Sequence, residues 1–147
     1  MSYEDFTKQI NNRAFYVLGK YRNQQLQTSA EELHDKFRDD LVEELSKKGY
    51  YVKPEKKFYR PKGVALVNAT NNFRKTDLFV KERDGKKRAV IVEIKCGRSD
   101  VLYQEEILVQ VEAQVINTLE YAMLELGLIL RVETDNNFNV TVERRRL

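Results

Sequence analysis

The sequence predicts an α/β domain in which helices flank a central mixed β-sheet. Two patterns carry this prediction. Apolar residues repeat every three to four positions in three long segments, whereas five shorter segments are apolar and rich in β-branched residues. In chain order the elements run α-α-β-β-β-α-β-β, an order typical of a layered fold in which helices cover a sheet.

The three helices are predicted from their apolar stripes and their end signals. They are expected at Tyr3 to Gln25, Ala30 to Lys48 and Val101 to Leu126. Thr28 or Ser29 can cap the start of the second helix, and Gly49 ends it. Gly127 stands where a left-handed cap would end the third helix.

The five strands are predicted from short apolar runs separated by turn residues. They are expected at Tyr50 to Tyr59, Arg74 to Glu82, Arg88 to Cys96, Leu128 to Glu133 and Asn139 to Arg144. Asp84-Gly85 predicts a hairpin between the second and third strands. The third strand is apolar along most of its length, so we expect it to be buried on both faces.

Length and composition favour one intracellular domain. The chain has 147 residues, of which 41% are hydrophobic and 33% charged, which excludes a disordered chain and a membrane protein. Cys96 is the one cysteine, so the class of secreted proteins framed by disulfides is excluded. We expect a cytoplasmic protein (in the host cell if it is viral) that forms one domain over 1–147, with an N-terminal helix, 1–27, appended to a core, 28–147.

Charge is unevenly distributed along the chain. The net charge is +3, with basic residues concentrated at 53–62, 81–88 and 144–146 and acidic residues at 31–44. Such segregation indicates a polyanionic partner, although solvated surface charge would give the same pattern.

Two polar residues interrupt the buried third strand. Glu93 and Lys95 are two positions apart and therefore project to the same face of the sheet. Burying them is costly unless they pair with each other or bind a ligand. Asp77 lies beside a second apolar strand across the hairpin, and two carboxylates can hold Mg²⁺ or Mn²⁺ through oxygen atoms. Such a metal activates water for phosphodiester hydrolysis, and a nearby lysine stabilises the developing negative charge.

Thr76-Asp77 followed after a hairpin by Glu93-Ile94-Lys95 resembles the motif of the restriction-endonuclease-like, or PD-(D/E)xK, nuclease superfamily. The resemblance extends over Ala30 to Glu133, and Thr76 stands where the motif name has proline. It implies a restriction-endonuclease-like core and a deoxyribonuclease that depends on Mg²⁺ or Mn²⁺. Asp77, Glu93 and Lys95 would then be catalytic, and Asp77, Glu93 and the Ile94 carbonyl would hold the metal.

The resemblance also implies a further metal ligand from the helix that precedes the sheet. His34, the only histidine, lies along the edge of that helix's apolar stripe. Histidine is used here by the branch of the superfamily that includes lambda-type exonucleases and CRISPR-associated adaptation nucleases. Holliday-junction resolvases use glutamate, which leaves Glu32 and Glu44 as alternatives, although Glu32 also has a capping role.

That histidine-using branch often has a glutamine and a tyrosine on the helix after the core strands. Gln110 and Gln114 have the required spacing of four and are candidates for the catalytic site, but neither position supplies the tyrosine. Gln114 and Tyr121 supply both residue types at a spacing of seven. A half-solvated helix face would show the same polar stripe.

DNA is the partner that this interpretation implies. Its phosphates would contact a basic set consisting of Lys53, Lys56, Lys57, Arg74 and Lys75. The small size and the N-terminal helix would suit a homodimer, and no membrane partner is expected. Two alternatives remain: a catalytically inactive DNA-binding or assembly subunit with the same fold, and a structural protein in which Glu93 and Lys95 form only an ion pair.

The shared metal site depends on strand register. Residues opposite one another in an antiparallel pair project to the same face. A two-residue Asp84-Gly85 turn would turn Asp77 away from Glu93. A three-residue loop of Arg83 to Gly85 would make the two acids diagonal neighbours, and a loop of Asp84 to Lys86 would set them directly opposite. We therefore predict a loop of odd length or a bulge between the two acids, despite the preference of Asp-Gly for a two-residue turn.

Overall fold

The computed structural model describes residues 2–61, 72–83 and 88–147. The helices are α1 (Tyr3–Asn23), α2 (Ala30–Lys47), α3 (Ser99–Leu102) and α4 (Glu105–Ala122). The strands are β1 (Tyr51–Pro54), β2 (Lys57–Tyr59), β3 (Phe73–Lys75), β4 (Leu78–Lys81), β5 (Ala89–Gly97), β6 (Leu126–Glu133) and β7 (Asn139–Arg146). Among these described residues, no helix is both long and apolar enough to cross a bilayer.

A five-stranded sheet in the order β1-β4-β5-β6-β7 forms the centre of the fold. Strands β5 and β6 run parallel, and the other neighbours run antiparallel, so the sheet is mixed. Strands β2 and β3 form a separate antiparallel ribbon, which packs against α4. The predicted α/β class, with a mixed central sheet flanked by helices, is confirmed.

Helices cover both faces of the sheet. On one face, the apolar stripes of α1 and α2 share a core with Leu78, Val92 and Ile94. On the other face, α4 packs against Ile91 and Ile129. Because β5 is covered on both sides, its central residues are buried whichever way they point. The N-terminal helix α1 therefore belongs to the same hydrophobic core as the strands.

The end signals of α2 act as the sequence predicts. The Ser29 hydroxyl accepts a hydrogen bond from the backbone N–H of Glu32 at 3.2 Å and caps the helix. Gly49 follows the end of the helix with φ of +92°, a conformation that glycine adopts without steric cost. This element places His34 on the side of α2 that faces the sheet.

Two predicted strands are each divided in the structure. The segment Tyr50 to Tyr59 forms β1 and β2 in different sheets, because Glu55 adopts a left-handed backbone with φ of 51° after Pro54. The segment Arg74 to Glu82 is likewise divided at Thr76 and Asp77 into β3 and β4. The chain thus passes from the ribbon to the central sheet at Thr76 and Asp77.

The predicted end of the third helix is wrong. Helix α4 ends at Ala122, and Met123 supplies the left-handed cap with φ of 56°. Gly127 lies inside β6, where a Cβ atom would lie 2.6 Å from Cγ1 of Val115. This glycine is therefore required for the close approach of α4 to the sheet. The predicted start at Val101 falls in α3, and α4 begins at Glu105.

The register of β4 on β5 excludes the two-residue turn. Leu78 pairs with Val92 and Lys81 pairs with Ala89, and the Glu82 N–H donates to the Arg88 carbonyl at 3.1 Å. Continued by one residue, this register sets Asp77 directly opposite Glu93. The predicted odd-length connection is thus confirmed, and of the two placements it allows, the two acids are directly opposite rather than diagonal neighbours. Asp84 and Gly85, on which the hairpin prediction falls, lie outside the described residues.

Candidate functional site

The candidate site lies where β4 ends beside β5. Ile94 lies beyond the last pair of this ladder, and its backbone N–H donates to Oδ2 of Asp77 at 2.7 Å. In return, the backbone N–H of Asp77 donates to Oε1 of Glu93 at 3.3 Å. These reciprocal hydrogen bonds fix the Asp77 and Glu93 side chains beside one another.

His34 approaches the same carboxylate from helix α2. Its Nε2 lies 3.3 Å from Oδ1 of Asp77, and its Nδ1 lies 3.1 Å from Oδ1 of Asp35. The hydrogen bond with Asp77 raises the pKa of His34 above its ordinary value, and the contact with Asp35 adds to the shift. In return, the hydrogen bond and charge of His34 favour the ionised form of Asp77.

The two carboxyl groups have opposite pKa shifts. Burial raises the pKa of Glu93 to about 8, and the negative charge of Asp77 adds to this shift, while Lys95 opposes it. Burial also favours a higher pKa for Asp77, but the hydrogen bonds from His34 and the Ile94 N–H outweigh it, and the pKa is lowered. Burial thus favours the protonated form of Glu93, whereas the hydrogen bonds to Asp77 favour its ionised form.

These side chains line an open cleft of about 260 Å³. The lining consists of Ala30, Glu31, His34, Asp77, Glu93, Ile94, Lys95 and Cys96. The structure therefore brings together the residues that the sequence nominates as metal ligands and the lysine nominated to act beside them. Glu31 was not predicted as a site residue. It precedes His34 by three residues, a spacing that places the two side chains on the same side of α2.

The two glutamate alternatives to His34 lie elsewhere. Glu44 is buried, but its Oε1 pairs with Nη1 of Arg13 at 3.2 Å. Glu32 is exposed in the first turn of α2, where its backbone takes part in the Ser29 cap. Neither glutamate is among the described residues that line the cleft.

Gln110 and Gln114 are exposed on α4. Val111 and Val115 lie on the opposite side of this helix and pack against the sheet, so the two glutamines face away from the sheet. They are absent from the cleft lining within the described part of the chain. A catalytic role for these glutamines stays a prediction that this arrangement does not favour.

The predicted DNA-contacting residues divide into two groups. Lys53, Lys57 and Lys75 are exposed, and Lys75 lies 3.6 Å from the carboxylate of Glu55. Lys56 and Arg74 are half-buried over aromatic rings: the Lys56 Nζ is 5.4 Å from the Phe79 ring centroid, and the Arg74 guanidinium is 5.7 Å from that of Tyr121. The first group is thus accessible to a phosphate, whereas the second group mainly anchors the ribbon.

The donor types in the cleft fit a hard divalent cation, since two carboxylates and a backbone carbonyl are oxygen ligands. Within the described ranges, no three His, Cys, Asp or Glu side chains already form a group that could hold a metal ion. His34 comes from α2, Glu93 is on the same face of β5 as Ile91, and Asp77 contacts both His34 and Glu93.

Comparison with known proteins bears on the fold alone. No family model matches the sequence, and no curated protein matches it either. A solved structure described as the crystal structure of SSO0001 is similar, with a TM-score of 0.55 and 17% sequence identity over 80% of this chain and 50% of that chain. This chain therefore spans half the length of that structure. At this level of identity the likeness concerns the α/β fold alone.

Proposed function

We propose that this chain is a metal-dependent deoxyribonuclease with a restriction-endonuclease-like core, which hydrolyses DNA phosphodiester bonds. The observation that carries the proposal is the meeting of Asp77 and Glu93 at one strand end, with Lys95 beside them and His34 facing them across a cleft. A buried and a half-buried carboxyl group in contact, with pKa values shifted in opposite directions, are typical of functional sites.

The electrostatics of the cleft support a divalent cation there. The pKa of Glu93 is raised because its side chain is buried and lies beside the negative charge of Asp77, which the positive charge of Lys95 offsets only in part. Asp77, Glu93 and the Ile94 carbonyl would hold Mg²⁺ or Mn²⁺, with His34 as the nitrogen ligand. When bound, such an ion lowers the pKa of a coordinated water and screens the charge of a phosphate.

The chain's own residues then have separate roles. Lys95 is half-buried next to Glu93, and its positive charge already acts on that carboxyl group. It orients the attacking water or stabilises the negative charge that develops on the phosphate. The hydrogen bond from the Ile94 N–H keeps Asp77 ionised and fixes its orientation, so that Oδ1 remains directed toward His34. Exposed Lys53, which lies on β1, would contact DNA phosphates without reading sequence.

A cleavage assay on a panel of DNA shapes tests the proposal. Labelled single-stranded, nicked and branched DNA would be incubated with the protein in Mn²⁺ and in EDTA. Cleavage is expected only in Mn²⁺, and Glu93→Ala should abolish it. Glu82→Ala is the matched control, because Glu82 and Glu93 are both 9% exposed but lie at opposite ends of the β4–β5 ladder.

Two results would contradict the nuclease proposal. Activity that survives in Glu93→Ala belongs to another site or to a contaminant. DNA binding without Mn²⁺-dependent cleavage of any shape would instead indicate the inactive DNA-binding or assembly subunit.

A further inference from the structure

The β2–β3 ribbon has two chemically different faces. Its pairs are Lys57 with Lys75, Phe58 with Arg74, and Tyr59 with Phe73. The middle pair turns inward: the Phe58 ring lies 5.7 Å from the Phe79 ring, and Arg74 lies over Tyr121. Because residues alternate along a strand, the two outer pairs share the opposite, outward face.

The outward face presents two aromatic rings to solvent. Tyr59 is 66% exposed and Phe73 is 38% exposed, and their ring centroids are 5.9 Å apart. The Nζ atom of Lys57 lies 4.7 Å from the Phe73 ring centroid, and Lys75 is exposed on the same face. Adjacent exposed rings flanked by lysines match what an unpaired base and its phosphates require, namely a stacking surface and positive charge.

The ribbon is connected directly to the candidate site. The Thr76 N–H donates to the Lys56 carbonyl at 3.1 Å, and the Glu55 N–H donates to the Asp77 carbonyl at 3.0 Å. Phe73 precedes Asp77 by four residues, so their Cα atoms lie at most about 14 Å apart. A nucleotide on the ribbon would therefore lie within a few nucleotides of a phosphate in the cleft.

From these contacts we infer that the outward face of the ribbon binds single-stranded DNA by stacking a base on Tyr59 and Phe73. Lys57 and Lys75 would contact the flanking phosphates. The inference rests on the proposed nuclease function and gives its substrate class: DNA with an unpaired segment beside the scissile bond. Bases inside a duplex already stack on their neighbours, so an intact duplex offers the ribbon no free base face.

The chain contains no tryptophan, so one introduced tryptophan reports on a single position. Tyr59→Trp places that reporter on the ribbon. The matched control is Tyr16→Trp, because Tyr16 is 48% exposed on α1. Each variant would be titrated in EDTA with oligothymidylate, with an abasic oligomer of the same length and with a duplex. The titrations contain no metal, so their outcome does not depend on cleavage.

We expect oligothymidylate to quench Tyr59→Trp and to leave Tyr16→Trp unchanged, with the abasic oligomer and the duplex giving little quenching. Phe73→Ala should weaken oligothymidylate binding by about 5- to 150-fold, the range found when one stacking residue is removed. Tyr59→Phe should bind as the parent does, since it keeps the ring.

Equal quenching by the abasic oligomer would overturn the stacking inference, even if the cleavage assay succeeds. A ribbon that instead docks a protein segment or a second copy of this chain would show no quenching by any oligomer. Cleavage that fails while base-dependent quenching persists would overturn the nuclease proposal and leave the binding surface intact.

Discussion

Replacing Glu93 with glutamine should stabilise the metal-free protein. Burial and the charge of Asp77 raise the pKa of Glu93 from 4.5 to about 8. One pKa unit corresponds to about 1.4 kcal/mol, so holding this carboxyl group in the folded state at pH 7 costs about 3 kcal/mol relative to the unfolded chain. Glutamine carries no charge, and its side-chain oxygen can still accept the Asp77 N–H, so Glu93→Gln should recover about 2–3 kcal/mol at pH 7.

The sign of this effect fixes its pH dependence. A raised pKa in the folded state means that the folded protein holds the proton more tightly, so the penalty is absent below about pH 4.5 and grows as pH rises toward 8. Urea unfolding at pH 4, 6, 7 and 8 should therefore show equal stabilities at pH 4 and a growing advantage for Glu93→Gln above it. Glu82→Gln, at an equally buried position at the other end of the β4–β5 ladder, is the control, and an advantage confined to Glu93→Gln locates the effect at the candidate site.

One result would refute this reasoning. If Glu93→Gln is less stable than the parent at pH 7 and 8, then Glu93 is held ionised by an ion pair with Lys95. That result would favour the structural interpretation of the two residues over a metal site.

Four further predictions follow from the same contacts. His34→Ala should weaken Mn²⁺ binding by about tenfold or more in calorimetry, because a ligand beside Asp77 is lost. Lys95→Ala should keep the thermal stabilisation by Mn²⁺ and lower the single-turnover cleavage rate by about 10²- to 10³-fold. Lys57→Ala should reduce the slope of log affinity for single-stranded DNA against log salt by about 0.7, as expected for one lost phosphate contact. Gly127→Ala should lower the free energy of unfolding by about 1–3 kcal/mol, since the new Cβ would lie 2.6 Å from Val115.

The elements that carry their own local signals were predictable from sequence. Helix α2 begins after the Ser29 cap and ends before Gly49, within one residue of the predicted bounds. The buried strand β5 follows from an apolar run that only Glu93 and Lys95 interrupt. The contact between Asp77 and Glu93 follows from the register, once a loop of odd length is required.

Features that depend on tertiary packing were not predictable in the same way. A β-pattern does not reveal where a chain leaves one sheet for another, so the breaks at Glu55 and Thr76 were missed, and with them the separate ribbon. A glycine after an apolar helical pattern predicts a helix cap, but Gly127 is required because Val115 lies too close to leave room for a Cβ atom. Gln110 was proposed from the family resemblance and its spacing to Gln114, whereas the buried side of α4 determines which way it faces.

The most direct test of the central claim measures metal binding and cleavage in the same Mn²⁺ titration. Thermal stabilisation and the cleavage rate on single-stranded DNA would be recorded for the parent, Glu93→Gln, Asp77→Asn and the control Glu82→Gln. We predict that both quantities saturate together in the parent and the control, and that both are lost in Glu93→Gln and Asp77→Asn. Cleavage that persists in Asp77→Asn, or a parent that Mn²⁺ neither stabilises nor activates, would contradict a metal-dependent nuclease at this site.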